Sequence, residues 1–372
     1  MKFGRSAPTI IIAASLLVVT VVCGVATLLT SRLVNAAHED SYTLMRQVLA
    51  SVLKSTEEKA LVRAELVESM PAVRSAFISR DRAKLHAECK QMFEEQSEKY
   101  GLDKATFHVP GGVVFLRLSK PAAFGDDQSA YRPMLADVHR NKVVRKGIAI
   151  GRSGATVSGI VPILDEAGTF QGSFEMGLEL ESIFNKIKEA YGIEAGIYLD
   201  EKLLREIATD LGGDILSPKN RVGRYIRFHA TNPELAKALV GDGDVEVTEP
   251  KHYERTVVGT PWGVQLVPVY NYTNKQIGVV ALASDFGADK AAARRSAVWL
   301  FLTTCFGAVF LCGVILVVIR ARLTAPLAAM NERFAALADG DDSKPADPLD
   351  ACCEELRTLS ASYERLRTGR PR

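Results

Sequence analysis

The sequence has almost no surplus of charge. Its 372 residues carry 46 Lys and Arg against 44 Asp and Glu, a formal net charge of +2, so no field is available to hold a polyanionic backbone and no nucleic-acid partner is expected. Cysteine is scarce and poorly placed for cross-linking. Of the six, Cys23, Cys305 and Cys312 lie in apolar runs, Cys352 and Cys353 lie near the C-terminus, and Cys89 stands alone between them. The central region therefore has no intramolecular disulfide to form. His-Glu-x-x-His and Gly-x-Ser-x-Gly are both absent, which removes the zinc-hydrolase and nucleophile-elbow patterns. His86 and Cys89 lack the second pair of ligands that zinc requires, as does Cys352-Cys353. Gly151-Arg152-Ser153-Gly154 lacks the flanking residues of a phosphate loop and reads as a β-turn. No catalytic residue, metal or cofactor is assigned, and the chain is not expected to be an enzyme.

Charge is missing entirely from two stretches. The 26 residues between Arg5 and Arg32, and the 24 between Arg295 and Arg320, contain no Asp, Glu, Lys or Arg. At 1.5 Å per residue each crosses a hydrocarbon core of ~30 Å. The first is too long for the apolar region of a cleaved signal peptide, the alternative reading, so both are expected to be membrane helices in contact with lipid. Lys2 and Arg5 outweigh Arg32 across the first span, which places both chain ends in the cytoplasm and residues 32–295 in the periplasm, in a two-pass inner-membrane protein. That outer segment holds 35 basic and 35 acidic residues.

The outer segment changes period along its length. From Asn35 to about Met70 there is neither Gly nor Pro, and Leu44, Val48, Val52, Ala60, Ala64 and Val67 recur at helical spacing, which predicts one long amphipathic helix. Pro71 ends it, and Asp81–Tyr100 reads as a further helix. Short β-branched runs follow at Thr106–His108, Val113–Leu118, Ile148–Ile150, Val157–Leu164 and Thr169–Leu178, with helices at Ser129–Arg140 and Glu181–Tyr191. A second cycle has strands at 195–199, 224–229, 245–248, 253–259, 264–269 and 276–284, and a helix at 201–209. The expected fold is α+β, with a long N-terminal stalk helix and two tandem antiparallel-sheet modules between two membrane helices. The expected divisions are 1–31 for the N-terminus and first span, 32–192 for stalk and distal module, 193–285 for the proximal module, 286–319 for the second span with its connecting helix, and 320–372 for the tail.

Phe107-His108-Val109-Pro110, Phe115-Leu116-Arg117-Leu118, Phe124-Gly125-Asp126-Asp127, Tyr131-Arg132-Pro133 and Gly159-Ile160-Val161-Pro162-Ile163 resemble the membrane-distal half of a double Cache sensor. Such PAS-like modules stand outside two-component sensor kinases, chemoreceptors and cyclic-dinucleotide enzymes. The specific run covers about residues 107–177, and the layout covers about 35–285. In the tail, Leu323-Thr324-Ala325-Pro326-Leu327 with Met330, Phe334 and Leu337, then Leu356, Leu359, Tyr363 and Leu366, resemble the two helices of a degenerate HAMP linker. Cys352-Cys353-Glu354-Glu355 stands where an acidic-x-Gly cue is usual. No kinase His box, cyclase motif or methyl-accepting coil follows, so the chain is expected to be part of a longer receptor or to drive a separate output protein. The Arg-x-Trp-Tyr pattern of amino-acid-binding relatives is also absent.

These resemblances imply a homodimeric signal-transduction receptor, of the chemotaxis or two-component type, that binds a small-molecule ligand. An accessory sensor subunit and a membrane-anchored enzyme are the alternatives. Arg117 is the first candidate for ligand binding, since a guanidinium in an otherwise apolar strand needs an anionic partner. Strict alternation places it on the face of Phe115 and Val113. That partner is either a ligand or one of Asp126, Asp127 and Glu175. His108, Tyr131, Arg132 and Glu175 are expected around the same cavity, with only one of Tyr131 and Arg132 facing inward. Asp126 and Asp127 either face the ligand or cap a helix.

Overall fold

The computed structural model describes residues 3–346 and 354–369. Lys2 and the Cys352-Cys353 pair lie outside them. The chain divides into two compact units, one formed by Ala36–Ala288 and the other by the flanking segments Met1–Asn35 and Asp289–Arg372.

Helix α1 runs over Phe3–Ser69. It stops where Met70 precedes Pro71, because a residue before proline is driven to extended backbone, and Met70 has φ −67° and ψ 121°. Pro71 is the first residue of α2, Pro71–Ile78. Asp81 starts α3, Arg82–Tyr100, by accepting from the Lys84 amide at 2.9 Å, and Gly101 ends it at φ 70°.

The first sheet has the order β2-β1-β5-β4-β3, antiparallel throughout. Its strands are β1 Leu102–Val109, β2 Val113–Arg117, β3 Arg145–Gly151, β4 Gly154–Leu164 and β5 Phe170–Glu179. Helix α4, Pro133–Asn141, lies between β2 and β3, and α5, Leu180–Tyr191, follows β5. One face of this sheet packs on α1, α2 and α3, joining Phe107, Leu116, Phe174 and Met176 to Ala64, Phe77 and Leu85 in one buried cluster. Each such buried aromatic or aliphatic side chain contributes about 1.5–3 kcal/mol. Alternation along the strands turns their polar residues to the other face, where the candidate site lies.

The second sheet has the order β7-β8-β6-β11-β10-β9. Its strands are β6 Glu194–Asp200, β7 Arg221–Val222, β8 Tyr225–Ala230, β9 Lys251–Val257, β10 Thr260–Tyr270 and β11 Gln276–Asp285, with α6 at Glu201–Ile207 and α7 at Pro233–Leu239. The α+β fold with two antiparallel sheets agrees with the sequence reading, but local features differ, among them α2 and β7, which have no counterpart there, and the starts of β1 and α4, which lie at Leu102 and Pro133 instead of Thr106 and Ser129. Residues 245–248 form no strand. Val245 and Val247 are buried, yet the Val247 amide bonds the Val245 carbonyl at 2.9 Å in a tight turn. Helix α7 has no counterpart in the sequence reading although its start signal is present, with Asn232 accepting from the Leu235 amide at 3.1 Å and proline in the first turn.

In the flanking unit, the first part of α1 and most of α8, Gly287–Ile319, are each long and apolar enough to cross a membrane. Two more helices, α9 Ala325–Ala338 and α10 Glu354–Arg367, pack together by burying Met330, Leu356 and Tyr363. Phe334 meets Tyr363 edge-on at 5.1 Å.

Candidate functional site

The register of the first sheet builds the site. Thr106 lies opposite both Arg117 and Glu175, His108 opposite Ser173, and Gly177 opposite both Lys104 and Ser158. Lys104, Thr106 and His108 of β1 therefore share one face with Ser173 and Glu175 of β5 and Ser158 of β4. The segment before α4 supplies Gln128 and Arg132. Helix α4 closes over them, burying Met134, Leu135 and Val138 against Ala149 and Ile160. Thr106, His108, Gln128, Arg132, Ser158, Ser173 and Glu175 are all buried, an unusual density of polar groups inside one module.

Only some of these groups are satisfied. Arg132 donates to Glu175 Oε1 at 2.6 Å and to Gln128 Oε1 at 2.9 Å. Lys104 Nζ stands 3.8 Å from the same Glu175 oxygen, beyond bonding distance. Lys104 Nζ, Glu175 Oε2, both ring nitrogens of His108 and Nδ1 of His139 are buried with no hydrogen-bond partner. Leaving a buried polar atom unpaired costs about 1–3 kcal/mol. Other orphaned atoms are scattered, on His38, Arg63, Arg82, Gln96, His229 and Gln265, whereas these five lie together, which makes this face the candidate ligand site.

Electrostatics follow from burial. Burial pushes His108 down to about 3, with Glu175 pulling the other way, so its ring is neutral near pH 7. Burial likewise lowers Lys104, against the attraction of Glu175. Burial alone would raise Glu175, but Arg132, Lys104 and His108 together hold its carboxyl well below the usual range, and it is ionised.

The residues singled out in the sequence separate into two groups. His108, Arg132 and Glu175 meet at the site, and of the Tyr131/Arg132 pair it is Arg132 that is buried there. Neither is helical, because α4 begins only at Pro133. Arg117 is engaged elsewhere. It donates to both oxygens of Asp126, at 2.8 and 2.6 Å, and to the Ala123 carbonyl at 2.7 Å. The hydrogen bond from Arg117 holds Asp126 down at about 2. The expected alternation also fails locally. A β-bulge at Phe107/His108 turns Phe115 onto Phe77, with ring centres 5.6 Å apart, while Arg117 stays opposite Thr106. Asp127 closes a turn by accepting from the Ser129 amide at 2.8 Å.

Lys104 lies outside the strand that β-branching alone marks from Thr106, whereas β1 begins at Leu102 and includes it. The alternation Lys104, Thr106, His108 is the sequence signal for its place on the site face. A cavity of about 210 Å³ adjoins the site and shares Arg132 with it, its other walls including Tyr131, Ile148, Leu203, Ile207 and Tyr272. Its walls are mostly apolar and it holds none of the orphaned groups. In the second sheet, Tyr253 and Trp262 pack on the core, and Gln265 bonds the Lys251 and Leu266 carbonyls. Among the described residues, no group of three or more His, Cys, Asp or Glu is placed to hold a metal.

A family model described as the double sensory domain of two-component sensor kinases matches residues 35–289. No match was found among curated proteins. Among solved structures, the sensor domain of the V. cholerae histidine kinase DctB is similar at 10% identity and TM-score 0.41, with 68% of this chain and 98% of that one covered. The ligand-binding domain of the Campylobacter jejuni chemoreceptor Tlp3, in complex with L-valine, is similar at 10% identity and TM-score 0.40, with coverages of 69% and 95%. An extracellular ligand binding receptor from Desulfohalobium retbaense matches at 14% identity and TM-score 0.37, over 65% of this chain and 39% of that chain.

Proposed function

The chain belongs to the double sensory domain family of two-component sensor kinases, a double Cache family, and we propose that it is a membrane receptor whose distal module binds a small extracytoplasmic ligand. The observation that carries this reading is the group of orphaned polar atoms on Lys104, His108 and Glu175, held on one sheet face beneath α4. A ligand seated there satisfies them and binds the covered module more tightly than the open one. That differential affinity is what shifts a conformational equilibrium.

The two apolar helices flank the sensory domain in sequence, consistent with an inner-membrane protein whose residues 32–295 face the periplasm. The relay runs through the chain that leaves β11. Phe286 stacks on His38 of α1 with ring centres 3.9 Å apart, and α8 begins at the next residue. Shifts of about 1–2 Å in α1 or α8 are of the size that interface helices make in switching. The α9–α10 pair is read as the HAMP-like element that receives them. Leu44, Val62 and Leu66 of α1 are exposed on one helix face, which supports a second copy of the chain as the partner. No catalytic role is assigned.

The test is a thermal-shift screen of the full-length protein in detergent against small acids, amines and purines. A ligand at 100 times its dissociation constant adds about 2.7 kcal/mol to stability. The expected hit loses its effect in Glu175→Gln and keeps it when the 210 Å³ cavity is altered by Leu203→Ala. A hit with the reverse dependence moves the ligand to that cavity.

A further inference from the structure

The charges at the orphaned site do not balance. Three side chains of opposite sign converge there, the cations Lys104 and Arg132 and the carboxylate of Glu175, with burial working against the charged form of Lys104. Both cations face the same carboxylate oxygen, Arg132 bonded at 2.6 Å and Lys104 unbonded at 3.8 Å. His108 and His139 beside them are driven toward the neutral form by burial. At the rim, Arg117 and Asp126 cancel each other in a bidentate pair. Asp103, the neighbour of Lys104 in β1, pulls on it more weakly from the exposed side of the strand, where solvent screens it. The interior of the site is left with one cation in excess, and a desolvated ammonium that shares its anion with Arg132 is incompletely compensated.

The orphaned atoms add a second requirement. Glu175 Oε2 is an acceptor awaiting a donor, and it belongs to the carboxylate whose other oxygen is 3.8 Å from Lys104 Nζ. An anion and a hydrogen-bond donor are thus wanted within a few Å of each other, with the neutral His108 ring able to donate from one nitrogen and accept at the other. There is little room near the lysine. A methyl group built on Gly151 would lie 2.6 Å from Lys104 Nζ.

We propose that the site takes a small monocarboxylate carrying a hydroxyl on the adjacent carbon, its carboxylate on Lys104 Nζ and its hydroxyl donating to Glu175 Oε2. This deepens the reading of the face as the ligand site and rests on it. A zwitterion such as an amino acid brings no net charge and leaves the excess cation in place. A plain monocarboxylate neutralises Lys104 but gives Glu175 no donor. A hydroxy acid does both.

The probes are lactate, propionate and alanine, nearly the same in size, at equal millimolar concentrations on the full-length protein in detergent, read by thermal shift. Lactate is expected to raise the midpoint most and propionate less, and alanine is expected to leave it unmoved. Lys104→Met is expected to raise the midpoint of the unliganded protein by ~2–4 °C, through loss of the buried cation, and to remove the lactate shift. Lys104→Gln gives the same reading should Lys104→Met fail to fold. A larger shift with alanine than with lactate, lost in Lys104→Met, leaves the site standing and overturns the hydroxy acid. A lactate shift that survives both variants places the acid elsewhere and overturns the site as well. No shift with either acid in the wild type overturns the hydroxy-acid assignment, while the wider screen of acids, amines and purines still judges the site.

Discussion

Lys104 Nζ stands 3.8 Å from Glu175 Oε1, near enough to feel its charge and too far to bond it. Arg132 holds that same oxygen at 2.6 Å, so structural support and an unused cation sit on one carboxylate. Truncating either partner of the bonded pair has a different consequence from truncating the unbonded one.

Arg132→Met strands a fully buried carboxylate, and its cost is expected at about 3–5 kcal/mol. Urea unfolding of the full-length protein measures it. A loss below about 1 kcal/mol would mean that Lys104 or water takes over the role of Arg132.

His108 sets a pH dependence. Its folded value, lowered by burial to about 3, lies below the ordinary ~6.5 of an unfolded histidine. The unfolded chain therefore binds the extra proton between those values. Stability from this group is full above about pH 6.5 and falls as pH drops toward 3, by at most about 1.4 kcal/mol per pH unit. His108→Leu should flatten the curve over that window relative to wild type. Parallel curves would show that the ring is protonated or hydrated in the fold.

Gly159→Ala tests the packing of α1 on the sheet. The added methyl carbon would lie 2.5 Å from both the nitrogen and Cα of Leu61, backbone atoms that cannot rotate away. A loss of about 1–3 kcal/mol is expected, read by thermal or urea unfolding. A neutral substitution would mean that α1 stands off the sheet in solution.

Arg117→Ala removes the bidentate contact with Asp126. The pair is partly exposed, at 15% and 28% of the two side chains, so the expected loss is only about 1 kcal/mol. The ligand-induced shift should persist. Its disappearance would make Arg117 a ligand contact and Asp126 its resting partner.

The larger architecture was legible because its signals are long. Charge-free runs, the break at Pro71 and the change to β-branched alternation after Gly101 each extend over many residues. His108, Arg132 and Glu175 were legible because polar residues stood in apolar surroundings. Arg117 carried the same signal for another reason. Its partner Asp126 lies nine residues on, across a loop whose closure no periodicity reports. The bulge that separates Phe115 from Arg117 is likewise set by pairing with β1, which a single strand does not reveal. Val245 and Val247 show the opposite case, in which burial selected β-branched residues without a strand.

The most direct measurement is a structure of the protein determined with the ligand that emerges from the thermal-shift screen. Ligand density within hydrogen-bonding distance of Lys104 Nζ, His108 and Glu175 Oε2 is the expected result. Density confined to the cavity lined by Tyr131, Ile207 and Tyr272, with Lys104 Nζ, the His108 ring and Glu175 Oε2 still unpaired, would contradict it.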